Sequence, residues 1–386
     1  MLRCSLPAVR WSRNLRRVLC ALAGGMLAAC QQAPVKLPEG DLVRQAREWR
    51  QQDGLKASRD RLVAALETMD AEDGAFERRL LRANGDKSFA FADSMAGFSA
   101  AQRRRTGIYF LCGFHTASDL SKRVAANVVE SLRRQGWRAR LIDLTPHETV
   151  PQDARRVQAA LEKELPQVDR AVIAGFSKGG LDWMQWFAHE AEKLPVRERA
   201  KVRLMLSFAG VLRGSMVADW LYRGWPPFAH TTRMYVRLFD SEGRKVIEDV
   251  RSVSQDPWIQ DPAPRLREMA PGLRVVSLVA VPDGAGGHPQ PHLGFNLLSR
   301  FVSTQWRWVG PLDGMTESAS QVLPPGSGVE QHLVRVLGSH ALLDGRYVNG
   351  AKVSTSFMQK NSDQGRGGEE LLDDLLRSLP RDWVMD

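Results

Sequence analysis

The stretch VIAGFSKGG, residues 172–180, runs several apolar residues into a serine and a lysine that have glycines on both sides. An apolar run bounded by glycines is typical of a buried strand that ends in a tight turn. The residues that follow, GGLDWMQWFAHEAEKL, have the pattern of a helix. The pentapeptide GFSKG therefore joins a strand to a helix. Its serine, Ser177, is either part of a structural turn or a nucleophile held within reach of a substrate.

The chain on both sides of this turn alternates between strand-like and helical patterns. Short apolar or strand-like runs occupy residues 106–113, 137–144, 168–175, 202–210, 273–281 and 333–337. Helical patterns with capping residues occupy residues 118–136, 151–165 and 179–194. Strands that alternate with helices predict an α/β protein with a mainly parallel, doubly wound sheet.

The first 29 residues have the pattern of a signal peptide. They carry five arginines and no acidic residue before the apolar run VLCALAGGMLAA, which is too short to span a bilayer. The run ends in LAAC, which resembles the lipobox of bacterial lipoproteins, and this resemblance implies that Cys30 is lipidated. Gln31 is not the aspartate of the usual inner-membrane retention signal, so an outer-membrane anchor in the cell envelope is favoured. A chance cysteine after an ordinary signal peptide is the alternative.

Charge and cysteine content exclude several classes of function. The full chain has 54 Lys and Arg against 44 Asp and Glu, and loss of the five arginines of the signal leaves 49 against 44. This excess of about five positive charges is not clustered, which argues against a nucleic-acid partner. Cys112 would be the one cysteine left besides the lipidated one, and its apolar surroundings predict a buried residue. No spacing of His, Cys and acidic residues predicts a metal, and no cofactor is expected.

The pattern divides the chain after the signal peptide into two parts. Residues 30–105 read as a polar tether followed by a helical segment without recognisable chemistry, so we expect a packing or spacer segment. Residues 106–386 form the predicted catalytic domain. An insertion at residues 212–272 is rich in aromatic residues, and it is either structural packing or a cap over an apolar pocket at the carboxyl ends of the strands.

A serine hydroxyl becomes a strong nucleophile when a histidine takes its proton and a carboxylate orients that histidine. His340 is the one histidine of eight that directly follows the last predicted strand. Two aspartates are candidates for the acid. Asp283 directly follows the strand at residues 273–281, and Asp313 lies in the later segment GPLDGMTESASQVLPPG.

Two segments resemble bacterial lipases. FAGVLRGSMVADWL, residues 208–221, keeps the arginine-glycine-serine and alanine-aspartate of those enzymes but has valine-leucine where proline-histidine is usual. PLDG, residues 311–314, is similar to their asparagine-aspartate-glycine turn. GFSKG is similar to the nucleophile elbow of these enzymes, the sharp turn between a strand and a helix that carries the reactive serine. Together with this elbow, the resemblance implies an α/β-hydrolase fold and favours Asp313 over Asp283 as the acid. The calcium site of that family has no matching pattern here.

The same resemblance assigns the remaining parts of the site. Gly175 and Gly179 would be the glycines of the elbow, and the oxyanion would bind the backbone N–H groups of Phe114 and Lys178. The Lys178 side chain either adds positive potential near the oxyanion or points into solvent; the sequence leaves both open.

These residues predict a serine hydrolase that cleaves carboxylic esters, most simply lipid or acyl esters, through Ser177, His340 and Asp313. A thioesterase, an amidase or a phospholipase would use the same triad, because substrate choice depends on the cap. A binding or scaffold lipoprotein without activity is the alternative from another class. The oligomeric state does not follow from the sequence.

Overall fold

The structure, a computed structural model, describes residues 41–113, 120–144, 148–223, 240–251, 261–281, 309–313, 315–337, 340 and 367–385. Cys30 and Asp283 lie outside these residues, as does Phe114. Aromatic residues at 225, 228, 235, 239 and 258 of the insertion also lie outside them.

Within the described residues, the strands form one parallel sheet. They are β1 (Thr106–Leu111), β2 (Arg138–Ile142), β3 (Arg170–Phe176), β4 (Val202–Phe208), β5 (Arg274–Val281) and β6 (Glu330–Leu337). Their order is β2-β1-β3-β4-β5-β6, and each neighbouring pair is parallel. Each strand overlaps a run that the sequence pattern predicted.

The helices connect and cover these strands. They are α1 (Leu42–Met69), α2 (Ala75–Gly85), α3 (Ala100–Arg104), α4 (Leu120–Arg134), α5 (Val150–Glu164), α6 (Lys178–His189), α7 (Val196–Arg199), α8 (Met216–Arg223), α9 (Asp240–Asp249), α10 (Ala263–Met269), α11 (Gly367–Ser378) and α12 (Asp382–Met385). Within the part of the chain that the structure describes, none of them is both long and apolar enough to serve as a membrane span.

Apolar side chains fill both faces of the sheet because successive residues of a strand point to opposite sides. Ile108 and Phe110 of β1 pack on one face with α4 and α11, whereas Tyr109 and Leu111 pack on the other face with α5 and α6. All six residues of β1 are buried. Burial on both faces explains why residues 106–111 read as a continuous apolar run instead of an alternating pattern.

The N-terminal segment is packed against the sheet domain. Leu62 and Leu66 of α1 share an apolar cluster with Val279 and Val281 of β5. Asp41 caps this helix by accepting hydrogen bonds from the N–H groups of residues 43 and 44. Helix α1 of the N-terminal segment therefore packs against the sheet.

The described residues of the insertion between β4 and β5 include the helices α8, α9 and α10. Ser215 pairs with Arg251 in an isolated bridge, and the Arg251 guanidinium binds the Asp219 carboxylate at 3.0 Å. The end of α9 is thus held by a backbone bridge and an ion pair to the segment that directly follows β4.

The sheet order and the sharp turn between β3 and α6 identify an α/β-hydrolase fold, as the sequence predicted. In open parallel sheets, ligands bind at the carboxyl ends of the strands. Because the sheet is parallel, all its strands end at that edge, so residues far apart in sequence can meet there.

Candidate active site

Ser177 lies on the turn between β3 and α6 in a strained backbone conformation. Its φ and ψ angles are 55° and −122°, a region that residues with side chains rarely adopt. Backbone hydrogen bonds hold the turn: the Ser177 N–H donates to the Phe208 carbonyl at 3.1 Å, and the Ser177 carbonyl accepts from Gly180 and Val211 at 3.0 Å each. A sharp strand-to-helix turn of this kind is the geometry typical of a nucleophile elbow, with the serine at the carboxyl edge of the sheet.

The glycines around the elbow are required by space. A Cβ atom at Gly175 would lie 2.8 Å from the Gly179 carbonyl oxygen, and one at Gly179 would lie 2.6 Å from the Leu111 oxygen. After β1, a Cβ atom at Gly113 would lie 2.7 Å from the Cβ atom of Ser177. The strands and the helix therefore approach too closely for any side chain at these three positions.

Ser177, His340 and Asp313 form a chain of hydrogen bonds. The Nε2 atom of His340 is 2.7 Å from the Ser177 hydroxyl oxygen, and its Nδ1 atom is 2.7 Å from Oδ2 of Asp313. Their exposed fractions are 9%, 8% and 2% for serine, histidine and aspartate. The structure therefore brings together the three residues that the sequence proposed as a triad, within a largely dry environment.

The Asp313 carboxylate is held by further hydrogen bonds. Its Oδ1 accepts from the N–H groups of Met315 and Thr316 at 2.8 Å each, and its Oδ2 accepts from the Gln321 side chain at 2.8 Å. The main-chain oxygen of Asp313 also accepts from the His340 N–H at 3.0 Å. Every described partner donates, as an ionised carboxylate requires.

Gln321 is a site residue that the sequence did not single out. Its side-chain oxygen accepts from the N–H of Ala280 in β5 at 2.8 Å, while its amide nitrogen donates to Asp313. Gln321 thereby fixes the Asp313 carboxylate relative to β5. Its place in the short 3₁₀ turn Ser318–Gln321 gave no signal of this role, because the contact with β5 is tertiary.

The arginine-glycine-serine segment that resembles lipases lies directly against the loop that carries Asp313, which we call the acid loop. The Arg213 N–H donates to the Ser320 carbonyl at 3.2 Å, and the Thr316 hydroxyl donates to the Gly214 carbonyl at 3.0 Å. The Ser215 hydroxyl donates to the carbonyl of residue 315. The resemblance in sequence thus corresponds to a structural support for the loop that carries Asp313.

The Lys178 side chain takes neither of the two directions that the sequence left open. It is buried, and its ammonium pairs with Asp153 of α5 and with Asp182 of α6, the latter at 2.7 Å. Burial raises the pKa of Asp182 to about 7 and the pKa of Asp153 to about 6, although the ammonium opposes both shifts. Burial alone would lower the pKa of Lys178, but the two carboxylates raise it overall. The side chain therefore joins α6 to α5. It does not point into solvent, and its charge is paired with two carboxylates.

Two further reactive side chains lie apart from this site. His332 lies in β6 and is buried, with its ring stacked 3.9 Å from that of Trp383. Cys112 is buried, as expected. No group of His, Cys, Asp and Glu among the described residues has an arrangement that could hold a metal ion.

The sequence matches no protein-family profile, and no curated protein matches it. Among solved structures, the metagenomic carboxyl esterase MGS0156 is 15% identical with a TM-score of 0.48, and the match covers 92% of this chain and 98% of the other. Phospholipase PlaB from Legionella pneumophila is 14% identical with a TM-score of 0.45, and the match covers 72% and 62%. The mature lipase BlEst2 from Bacillus licheniformis is 13% identical with a TM-score of 0.41, and the match covers 62% and 85%. These TM-scores lie below 0.5, so the fold assignment rests on the sheet order and elbow of this chain.

The buried carboxylates beside Lys178 predict a pH-dependent stability. Their raised pKa values mean that the folded state binds more protons than the unfolded state between about pH 4 and pH 7. The free energy of unfolding should therefore fall as the pH rises through this window and level off above it. We expect the fall between pH 4.5 and 7.5 to be larger in the wild type than in Asp182→Asn, by on the order of 2 kcal/mol.

Urea unfolding at a series of pH values measures this difference. Asp60→Asn, which changes an exposed carboxylate of α1, is the matched control and should keep the slope of the wild type. Equal slopes for the wild type and Asp182→Asn would contradict the prediction.

Proposed function

We propose that the protein is a serine hydrolase that cleaves carboxylic esters, with Ser177, His340 and Asp313 as its catalytic triad. The observation that carries this proposal is the pair of 2.7 Å hydrogen bonds from one imidazole, to a serine hydroxyl on a strained elbow and to a buried aspartate. A structural turn needs neither bond. Because nucleophile, base and carboxylate each have the partner that acyl transfer requires, this function explains the arrangement best.

The reaction begins with a neutral imidazole whose Nδ1–H donates a hydrogen bond to the Asp313 carboxylate and keeps the proton. Nε2 then accepts the proton of the Ser177 hydroxyl as the serine oxygen attacks the ester carbonyl. The imidazolium is stabilised by the carboxylate and returns the proton to the leaving alkoxide, which departs as an alcohol. A water molecule, deprotonated by His340 in the same way, attacks the acyl-enzyme, releases the carboxylic acid and restores the serine.

The negative charge on the carbonyl oxygen needs hydrogen-bond donors in the transition state. The N–H of Lys178, the first residue of α6, belongs to a helix N-terminus that has no acceptor within the helix. In the proposal this N–H and that of Phe114 form the oxyanion hole. The ion pairs of the Lys178 side chain hold the first turn of α6, which limits movement of its N–H group.

A lipid or acyl ester is the substrate class we propose. The half-buried Phe176 ring packs 5.7 Å from the His340 ring, so an apolar wall borders the serine. The aromatic composition of the insertion at residues 212–272 also suits an acyl chain. A thioester, an amide or a phospholipid remains the alternative, and comparison of hydrolysis rates across these leaving groups separates them.

Ser177→Ala should abolish labelling by a fluorophosphonate probe and lower ester turnover by about 10⁴- to 10⁶-fold, since the nucleophile is lost. Ser88→Ala, which changes an exposed serine, is the control and should label like the wild type. Labelling that persists in Ser177→Ala would exclude this serine as the nucleophile, and a folded wild type that is inert to the probe would favour the scaffold alternative.

The identity of the acid is tested by comparing Asp313→Asn with Asp283→Asn. We expect the first to lower kcat by about 10⁴-fold, because an asparagine stabilises the wrong imidazole tautomer, and the second to stay near the wild type. Steady-state kinetics on a soluble short-chain ester measures both. Near-full activity of Asp313→Asn with loss in Asp283→Asn would move the role to Asp283.

We further propose that Cys30 is lipidated after removal of residues 1–29 and anchors the protein in the outer membrane of the cell envelope. The support is the apolar run that ends in LAAC and the glutamine that follows it. Cys30→Ser should prevent incorporation of labelled palmitate and shift the protein from the membrane fraction to the soluble fraction. Unchanged palmitate labelling in this variant would rule out the anchor at Cys30.

A further inference from the structure

The N-terminal helix α1 contacts the loop that carries Asp313 through a buried ion pair. Arg47 donates from Nε to Oε1 of Glu317 at 2.9 Å and from Nη2 to Oε2 at 2.6 Å. The exposed fractions of the two side chains are 4% and 1%. Such a two-bond contact fixes the orientation of both groups as well as their distance.

Glu317 in turn fixes the geometry of the acid loop. Its Oε1 also accepts from the Gly310 N–H at 2.7 Å, so the carboxylate joins the two ends of the turn that contains Asp313. Leu312 and Glu317 pair in an antiparallel bridge, and the Ser318 N–H donates to the Pro311 carbonyl at 2.9 Å. Asp313 lies inside this closed turn, so a shift of Glu317 moves the aspartate as well.

A second buried pair joins the start of α1 to the same region. The Arg213 guanidinium binds the carboxylate of Asp41, the residue that caps α1, and both side chains are buried. The backbone N–H of Arg213 holds the Ser320 carbonyl of the acid loop. The helix is therefore linked to the acid loop directly through Arg47 and indirectly through Arg213.

These buried pairs differ from the other ion pairs of α1. Arg61 and Asp53 form a pair at 2.9 Å, but their side chains are 51% and 34% exposed, and such pairs contribute little. A buried pair costs desolvation, and replacing one by apolar residues is often neutral or stabilising. Moreover, Arg47 Nη1 is buried and has no hydrogen-bond partner among the described residues. Stability alone therefore does not explain a charged pair at this position, whereas a requirement for fixed geometry does.

We infer that Arg47 is a positioning residue for the proposed triad acid, and that the N-terminal helix is part of the active-site architecture. The inference rests on the proposed function. Arg47 does not contact Asp313; it acts through Glu317, which holds the turn whose N–H groups at residues 315 and 316 bind the aspartate. Misplacement of a catalytic group by about 1 Å can lower the rate about 100-fold, so a moderate loosening of this turn has a measurable effect.

Two variants test the role of Arg47 without leaving a buried charge alone. In Arg47→Met with Glu317→Gln, the neutral amide can still accept from the Gly310 N–H, but the ion pair is gone. In Arg47→Lys the charge remains, but the two-bond contact is lost. We expect kcat on a soluble short-chain ester to fall about 10- to 100-fold in the double variant and about 3- to 10-fold in Arg47→Lys, with KM within twofold of the wild type. The rate of fluorophosphonate labelling should fall in parallel with kcat.

Arg61→Met, which removes the exposed pair of the same helix, is the matched control and should keep the kcat of the wild type. Urea unfolding of each variant establishes that the protein measured is folded. Wild-type kcat in either Arg47 variant, while Ser177→Ala is inactive, would overturn the positioning role and leave the proposed function standing. An active Ser177→Ala would overturn the proposed function instead.

Discussion

The close approach of β1, β3 and α6 around Ser177 is the constraint on which the rest of the site depends. Glycines at positions 113, 175 and 179 leave no room for a side chain, and Ser177 itself is held at a φ of 55°. The tight turn aims the hydroxyl at the carboxyl edge of the sheet. Because the turn supplies only the serine, the other groups come from the loops that follow β5 and β6, which lie farther along the same edge.

The described part of the loop after β5 is held by contacts with several other elements. Asp313 has no regular secondary structure to hold it, so its position depends on tertiary hydrogen bonds. Gln321 ties Asp313 to β5, the Gly214 carbonyl after β4 accepts from Thr316 of the same loop, and Arg47 of α1 binds Glu317 of that loop. Three separate elements thus hold the loop that carries this carboxylate, which fixes the direction of its hydrogen bond to the imidazole.

Beneath the elbow, the Lys178 ammonium and the carboxylates of Asp153 and Asp182 form a second buried polar group. Burial removes hydration from each carboxylate, and this raises their pKa values although the ammonium opposes the shift. The cluster joins α5 to the first turns of α6, directly after the proposed nucleophile. Buried charge pairs therefore lie on two sides of the site: that of Lys178 beside the elbow and that of Arg47 with Glu317 in the acid loop. Apolar packing alone would fix the orientation of these segments less strictly.

The sequence by itself determined the series of strands and helices, the elbow at Ser177 and the position of His340 after the last strand. These features depend on local patterns, namely apolar runs, glycines and chain order, which a sequence displays directly. Only the tertiary structure decided that Asp313 meets His340, that Lys178 is buried between carboxylates and that Arg47 reaches Glu317, 270 positions away. Such contacts depend on how distant segments pack, and a charged residue has the same local pattern whether its partner is water or a buried ion.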